Sequence, residues 1–264
     1  YTVNESHVLS LKNIHSDAYG SKGVKNILLK DFLNKSKWFK IFHKGYKVGV
    51  NFDYKKVEID PYFIGLWLGD GTSANTGITT ADKEIVKWLE KYAKKINHKI
   101  TVINQENNKS NVYSIVRSRI FEPKDYARHH SNGKIYFMKN KSIHGYGDVI
   151  SLISKMKKLN LINNKHIPDI YKINSKDIRK RILAGLIDSD GSNGGNCWNL
   201  CLKKSKLVDD VVFLVRSLGI GCYLAKSRII NGEEYCRISI YGELSDIPVL
   251  LNRKKCHKRK QIKN

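Results

Sequence analysis

Apolar positions along the chain change their period several times, and each change predicts an element. Residues 1–56 hold short apolar runs broken by Gly and basic residues; Thr2 to Lys12 alternates as a strand does, and Tyr46 to Phe52 is a second candidate strand. The pattern changes near Val57-Glu58-Ile59-Asp60-Pro61, where Asp60 suits an N-cap and Pro61 the first helical turn. Phe63 to Leu68 then reads as an almost unbroken apolar helix, stopped by Gly69-Asp70-Gly71. A short strand at Gly77 to Thr80 precedes a helix from Asp82, with Ile85, Trp88, Leu89, Tyr92 and Ile96 on one face. Strands at Lys99 to Asn104 and Val112 to Ser118 follow, then a polar stretch, 119–146, read as an insertion or long loop, and a helix from Asp148 to Leu159.

From Ser175 the same order returns. A helix ends at Asp188-Ser189-Asp190-Gly191, and a strand spans Asn196 to Leu202. A helix from Ser205 carries Leu207, Val211, Leu214 and Leu218 on one face and stops at Gly219, a natural C-cap. Strands at Cys222 to Ile230 and Tyr235 to Tyr241 flank Asn231-Gly232, a strong hairpin signal, and a short helix is expected over Glu243 to Leu251. The chain therefore holds an internal repeat, whose copies can pair about a pseudo-twofold axis.

Laid side by side, Phe63-Ile64-Gly65-Leu66-Trp67-Leu68-Gly69-Asp70-Gly71 and Leu183-Ala184-Gly185-Leu186-Ile187-Asp188-Ser189-Asp190-Gly191 match at both glycines, the leucine and the final aspartate. Glycine inside a helix costs about 1 kcal/mol relative to alanine, so its recurrence at one place implies close helix–helix approach. Two apolar helices packed this way bring Asp70 and Asp190 together at their C-terminal ends. Adjacent carboxylates repel unless a cation lies between them, and Mg²⁺ is the usual ion for oxygen ligands. Such a pair with metal can orient water and stabilise both oxygens of a phosphodiester displacement.

The charge supports a polyanionic partner. Lys and Arg number 48 against 24 acids, a net charge of +24, which favours nucleic acid over a membrane surface because no basic amphipathic helix stands apart from the fold. No apolar run reaches bilayer length, and Tyr1 to Glu5 show no signal-peptide pattern. The absence of an initial Met suggests a fragment or a processed piece. Five cysteines, Cys197, Cys201, Cys222, Cys236 and Cys256, read mostly as buried thiols of a reducing compartment; Cys197 and Cys201 lack a second close pair, which argues against zinc.

Leu183 to Gly191 closely resembles the signature of LAGLIDADG homing endonucleases, and Pro61 to Gly71 resembles the first motif of their intein-encoded branch. The resemblance covers about residues 57–264. It implies an α+β fold: two pseudo-symmetric αββαββα repeats, 57–174 and 175–264, form a saddle over DNA. A small β-rich segment, 1–56, precedes them. It implies a monomeric enzyme that cuts both strands of a long double-stranded site, with Mg²⁺ (Mn²⁺ substituting) held by Asp70 and Asp190 with Gly69 and Ser189. The family also carries a basic residue in each half. That role is carried to Lys165, from Lys165-His166-Ile167-Pro168, and to Lys260, from the echo Lys260-Gln261-Ile262, with Lys258 a close rival. The expected setting is an intracellular, reducing compartment with access to DNA.

Asn252 to Lys263 has seven basic residues and no acid, so Lys254, Lys255 and Lys258 are candidate phosphate contacts. Base reading would fall to the sheets: Arg237 shares the polar side of its strand with Tyr235, Ser239 and Tyr241, Lys226 and Arg228 lie on the neighbouring strand, and Arg117 is the counterpart in the first half. Asn4-x-x-His7, expected inside a strand, and Gly23 to Lys35 resemble an intein splicing domain. Tyr1 and the ending Ile262-Lys263-Asn264 depart from a complete intein, so splicing is not expected. Two other readings remain at this stage, a catalytically inactive DNA- or RNA-binding LAGLIDADG protein and a fragment of a splicing intein.

Overall fold

The computed structural model describes residues 3–14, 23–105, 109–118, 127–129, 135–137 and 149–258. The chain divides into two compact units at Val48/Gly49. In the first, β1 (Val8–Asn13) pairs antiparallel with β2 (Val24–Leu28) and with β3 (His43–Gly45). Two short helices, α1 (Leu29–Leu33) and α2 (Lys37–Phe42), lie between β2 and β3. Asn4 and His7 are not inside a strand as expected. They close a reverse turn ahead of β1, with the His7 N–H donating to the Asn4 carbonyl at 3.2 Å. The second expected strand, Tyr46 to Phe52, is irregular.

The second unit is a mixed α+β fold. Its first half runs α3 (Pro61–Asp70), β4 (Gly77–Thr80), α4 (Lys83–Lys95), β5 (His98–Ile103) and β6 (Asn111–Arg117), with sheet order β4-β6-β5. A small hairpin, β7 (Ala127–His129) with β8 (Ile135–Phe137), and the helices α5 (Leu152–Lys158) and α6 (Asp169–Lys172) lead to the second half. That half runs α7 (Lys176–Asp190), β9 (Ser192–Asn193), β10 (Trp198–Lys203), α8 (Lys206–Ser217), β11 (Gly221–Leu224), β12 (Arg228–Ile230) and β13 (Glu233–Tyr241). Its sheet is β11-β13-β10-β9, with β12 also on β13. Asn231 and Gly232 both take positive φ, 49° and 79°, as the tight turn between β12 and β13 requires. The helix expected over Glu243 to Leu251 does not form; only a 3-10 turn at Asn252–Lys254 follows β13. Among the described residues no helix is long and apolar enough to cross a membrane.

The two motif helices lie at the centre. Asp60 caps α3, its carboxylate accepting the Tyr62 N–H at 2.9 Å, and Arg181 of α7 bonds the same carboxylate at 2.6 Å. Phe63, Ile64, Leu66, Trp67, Leu183, Ala184, Leu186 and Ile187 are fully buried, because the motif segments 63–68 and 183–187 carry no polar side chain to turn to water. The glycine match has a direct cause. A methyl group on Gly65 would run into the Ile182 carbonyl, and one on Gly185 into the Tyr62 carbonyl. The backbones of α3 and α7 touch there, and the helices stay side by side to their C-terminal ends.

Candidate active site at the ends of the paired helices

Both helices terminate at a glycine in extended conformation, Gly71 and Gly191, one residue after the aspartate. Gly69 faces Ser189 and Asp190 so closely that a β-carbon on Gly69 would meet the Ser189 side chain and lie 3.3 Å from Asp190 Cγ. Asp70 and Asp190 therefore share one end of the helix pair. Burial and then the charge of Asp190 push the Asp70 carboxyl up to about 6, against the pull of Lys254 and Lys165. Asp190 is also raised, by dense packing around a carboxylate that still reaches solvent, with Lys165 and Lys254 pulling it down. Two crowded carboxylates of this kind form a site that a cation relieves.

Two lysines dock beside them. Lys165 Nζ donates to the Gly69 carbonyl at 2.8 Å and lies 5.5 Å from the centroid of the Trp67 ring. Lys254 Nζ donates to the carbonyls of Ile187, Asp188 and Ser189 at 2.8, 2.7 and 2.8 Å. Each ammonium thus satisfies carbonyls that a helix end leaves open, and each is favoured there by the helix dipole. Burial lowers the pKa of both; nearby Asp190 and Asp70 partly offset this for Lys165, and Asp188 and Asp70 for Lys254.

Lys165 stands at a helix end, next to the aspartates. Lys254, expected as an exposed phosphate contact, is only 7% exposed and wholly committed to the end of α7, so that expectation is corrected. It is the counterpart of Lys165 in the second half. Lys260 lies outside the described residues. A sequence signal for Lys254 existed: Leu161-Ile162-Asn163-Asn164-Lys165 is echoed by Leu250-Leu251-Asn252-Arg253-Lys254. The carbonyls of Gly69 and Ser189 each carry a lysine ammonium, and the Ser189 hydroxyl bonds back to Gly185 and Leu186 within α7. Among the described residues no group of three His, Cys, Asp or Glu side chains gathers as a metal cluster.

The segment around Lys254 is held from several sides. The Trp198 indole N–H donates to the Lys254 carbonyl at 2.7 Å, and Arg253 makes a two-pronged ion pair with Asp82, at 2.6 and 2.8 Å. Lys255 and Lys258 are exposed, with Lys255 Nζ on the Asn252 side-chain oxygen at 2.8 Å.

On the second sheet, Cys236, Ile238 and Ile240 of β13 are buried, while Arg237 and Tyr241 are exposed and Tyr235 and Ser239 half-buried. Register pairing sets Arg237 opposite Cys201 and Arg228 opposite Tyr235. Lys226 and Arg228 are exposed. Arg228, Arg237 and exposed Tyr223 lie on one side of the sheet, Lys226 lies in the break between β11 and β12, and exposed Ile229 is on the other side. Arg117 is not displayed in this way: it is half-buried at the end of β6 and its guanidinium donates to the Val149 carbonyl at 3.4 Å. Of the cysteines, Cys236 and Cys256 are buried, whereas Cys201 is exposed and all five are free thiols.

The chain is similar to parts of several known proteins. The replicative DNA helicase DnaB of Mycobacterium intracellulare is 26% identical over 206 residues, covering 77% of this chain and 27% of that protein. The homothallic switching endonuclease of Saccharomyces cerevisiae is 25% identical over 187 residues, covering 66% of this chain and 30% of that protein. The chain thus spans less than a third of the length of either relative. The homing endonuclease I-DmoI in complex with DNA and Mn is 12% identical, covering 69% of this chain and 88% of that one, with a TM-score of 0.43. Residues 166–259, which include α7, the second sheet and Lys254, match the family model for homing endonucleases.

Proposed function

We propose that the chain is a site-specific, metal-dependent DNA endonuclease of the LAGLIDADG type, cutting both strands of a long double-stranded site. The observation that carries this is the end of the α3–α7 pair: two carboxylates crowded together with one lysine docked at each helix terminus. The homing-endonuclease match over 166–259 and the charge of +24 support it.

Asp70 and Asp190 fit a hard divalent ion such as Mg²⁺, with Mn²⁺ as a substitute; Gly69 and Ser189 would join through carbonyls that here accept lysine N–H groups. When bound, the metal supplies Lewis acidity at the phosphate and lowers the pKa of water. The residues do the rest. The aspartates would hold the ion and accept hydrogen bonds from the attacking water. Lys165, which is easier to deprotonate than a free lysine and gives one hydrogen bond to Gly69, steadies the charge that develops on the phosphate or takes the proton of the attacking water, while Lys254, its three N–H groups held by carbonyls, contributes its positive charge beside the carboxylates. The exposed Lys226, Arg228 and Arg237 contact base edges or phosphates, and Lys255 and Lys258 contact phosphates. The likeness to inteins extends the reading to an element embedded in a host protein, with 1–56 as a partial splicing segment and 57–264 as the nuclease. The protein would act as a monomer.

Incubation with a randomised duplex library, with and without Mg²⁺, tests the reading. Metal-dependent cleavage at a long preferred site is expected. Asp70→Asn and Asp190→Asn should each reduce cleavage roughly 1,000-fold while DNA binding persists. Full cleavage by both variants would overturn it.

A further inference from the structure

Asp188 and Asp210 are the buried carboxylates of the second unit among the described residues, and neither belongs to the pair at the helix ends. Burying a carboxylate is costly unless it is paired and hydrogen-bonded, so each needs a reason. Asp188 Oδ2 accepts the Leu250 N–H at 2.6 Å and the Tyr62 hydroxyl at 2.7 Å, and its Oδ1 accepts the Leu251 N–H at 3.1 Å. Leu250 and Leu251 lead directly into the 3-10 turn that carries Lys254. Asp210 Oδ2 accepts the Ile167 N–H at 2.9 Å, two residues beyond Lys165, and its oxygens also receive Lys172 and Lys206.

Helix packing alone does not call for an acid at Asp188. The equivalent position of α3 is Leu68, which is as deeply buried, and α3 forms without a carboxylate there. What differs is the neighbour: at Asp188 a segment without strand or α-helix passes over α7 and needs its N–H groups satisfied. The Lys165 segment is likewise irregular, and besides Asp210 it is tied by the Asn163 N–H to the Ser73 carbonyl at 2.8 Å. There is also an exchange between halves. Asp210 stands on α8 of the second half and grips the lysine segment of the first, while Asp82, the N-cap residue of α4 in the first half, grips Arg253 beside Lys254.

We propose that Asp188 and Asp210 are positioning residues that set the two active-site lysines, Asp188 acting through residues 250–251 on Lys254 and Asp210 through Ile167 on Lys165. Each controls the cut of the same strand as the lysine it positions. The inference rests on the endonuclease reading, and on one lysine serving each strand.

The test uses the full chain with Mg²⁺ and its cleavage site as a duplex carrying a different dye on each strand. Lys254→Met and Lys165→Met should slow opposite strands. Asp188→Asn should slow the strand that K254M slows, and Asp210→Asn the strand that K165M slows, each by roughly 10- to 100-fold, the cost of a displaced catalytic group. The other strand should stay within roughly threefold, so nicked product accumulates, a bias that loss of folded protein does not produce. If either Asn variant fails to fold, D188E or D210E, which keep the charge but lengthen the arm, carry the same expectation. Equal slowing of both strands by the Asp variants, with the lysine bias intact, overturns the proposal. Equal slowing of both strands by K165M and K254M removes its premise, yet metal-dependent cleavage by the wild-type chain would still uphold the endonuclease reading.

Discussion

The ends of α3 and α7 are built to one plan and finished differently. At the end of α3, Lys165 gives a single hydrogen bond to Gly69 and rests near the Trp67 ring, half-buried. At the end of α7, Lys254 is buried and caps three successive carbonyls. The comparison teaches that one kind of group, an ammonium next to a carboxylate at a helix terminus, can be lightly tethered on one side and a full structural cap on the other. The electrostatics cross over as well. Among the groups that lower Asp70, Lys254 comes first, and among those that lower Asp190, Lys165 does. Of Asp70 and Asp190, each lysine bears more on the one at the end of the helix on which it does not dock.

The largest effect expected from this asymmetry is on stability. Lys254→Met should cost about 3 kcal/mol, because three carbonyls lose a charged donor in a buried place, whereas Lys165→Met should cost about 1 kcal/mol. Urea unfolding of the metal-free proteins measures both. Equal costs, or the reverse order, would mean that the cap on α7 is not what distinguishes the two ends.

A smaller effect should appear in the titration of Asp70. Its carboxyl in the fold titrates at about 6, above the ordinary 3.8. The folded chain therefore binds more protons than the unfolded chain between these values. This group weakens the fold fully above pH 6 and progressively less as the pH falls toward 4. Carboxyl ¹³C NMR without divalent metal should show that midpoint moving down in Asp190→Asn, which removes a repelling charge. It should move up in K254M, and by more than in K165M. A midpoint that ignores Asp190 would separate the two carboxylates and undo the shared site.

Much of this was legible in the chain. The pairing of the two motif helices follows from the lack of polar side chains in 63–68 and 183–187 and from Gly65 and Gly185, whose only economical explanation is backbone contact. The turn at Asn231-Gly232 and the alternation of Cys236, Ile238 and Ile240 on β13 were equally plain, because positive φ and a half-buried sheet leave local signatures. Lys254 was marked only by the echo of residues 161–165 in 250–254. A lysine within a run of basic residues otherwise reads as a solvated charge, and no local period shows that the chain will fold back to insert it beneath a helix end. Residues 243–251 contributed to the error. Their apolar spacing suits a helix, but the segment is pinned to Asp188 through its backbone N–H groups, and an intrahelical ladder would need those same donors. Asp210 was hidden for a similar reason: beside Asp209 on an amphipathic helix it resembles a polar face, and its partners come from 38 to 43 positions away, with only Lys206 close by. Long-range polar pairing leaves no period to read.

The central claim is that Asp70 and Asp190 together hold the divalent ion that cuts DNA. A crystal structure of the full chain with its cleavage site and Mn²⁺, read by anomalous scattering, tests it most directly. Manganese coordinated by a carboxylate oxygen of Asp70 and one of Asp190, next to a phosphate, is the predicted result. Manganese bound elsewhere, or to neither aspartate while cleavage proceeds, would contradict it.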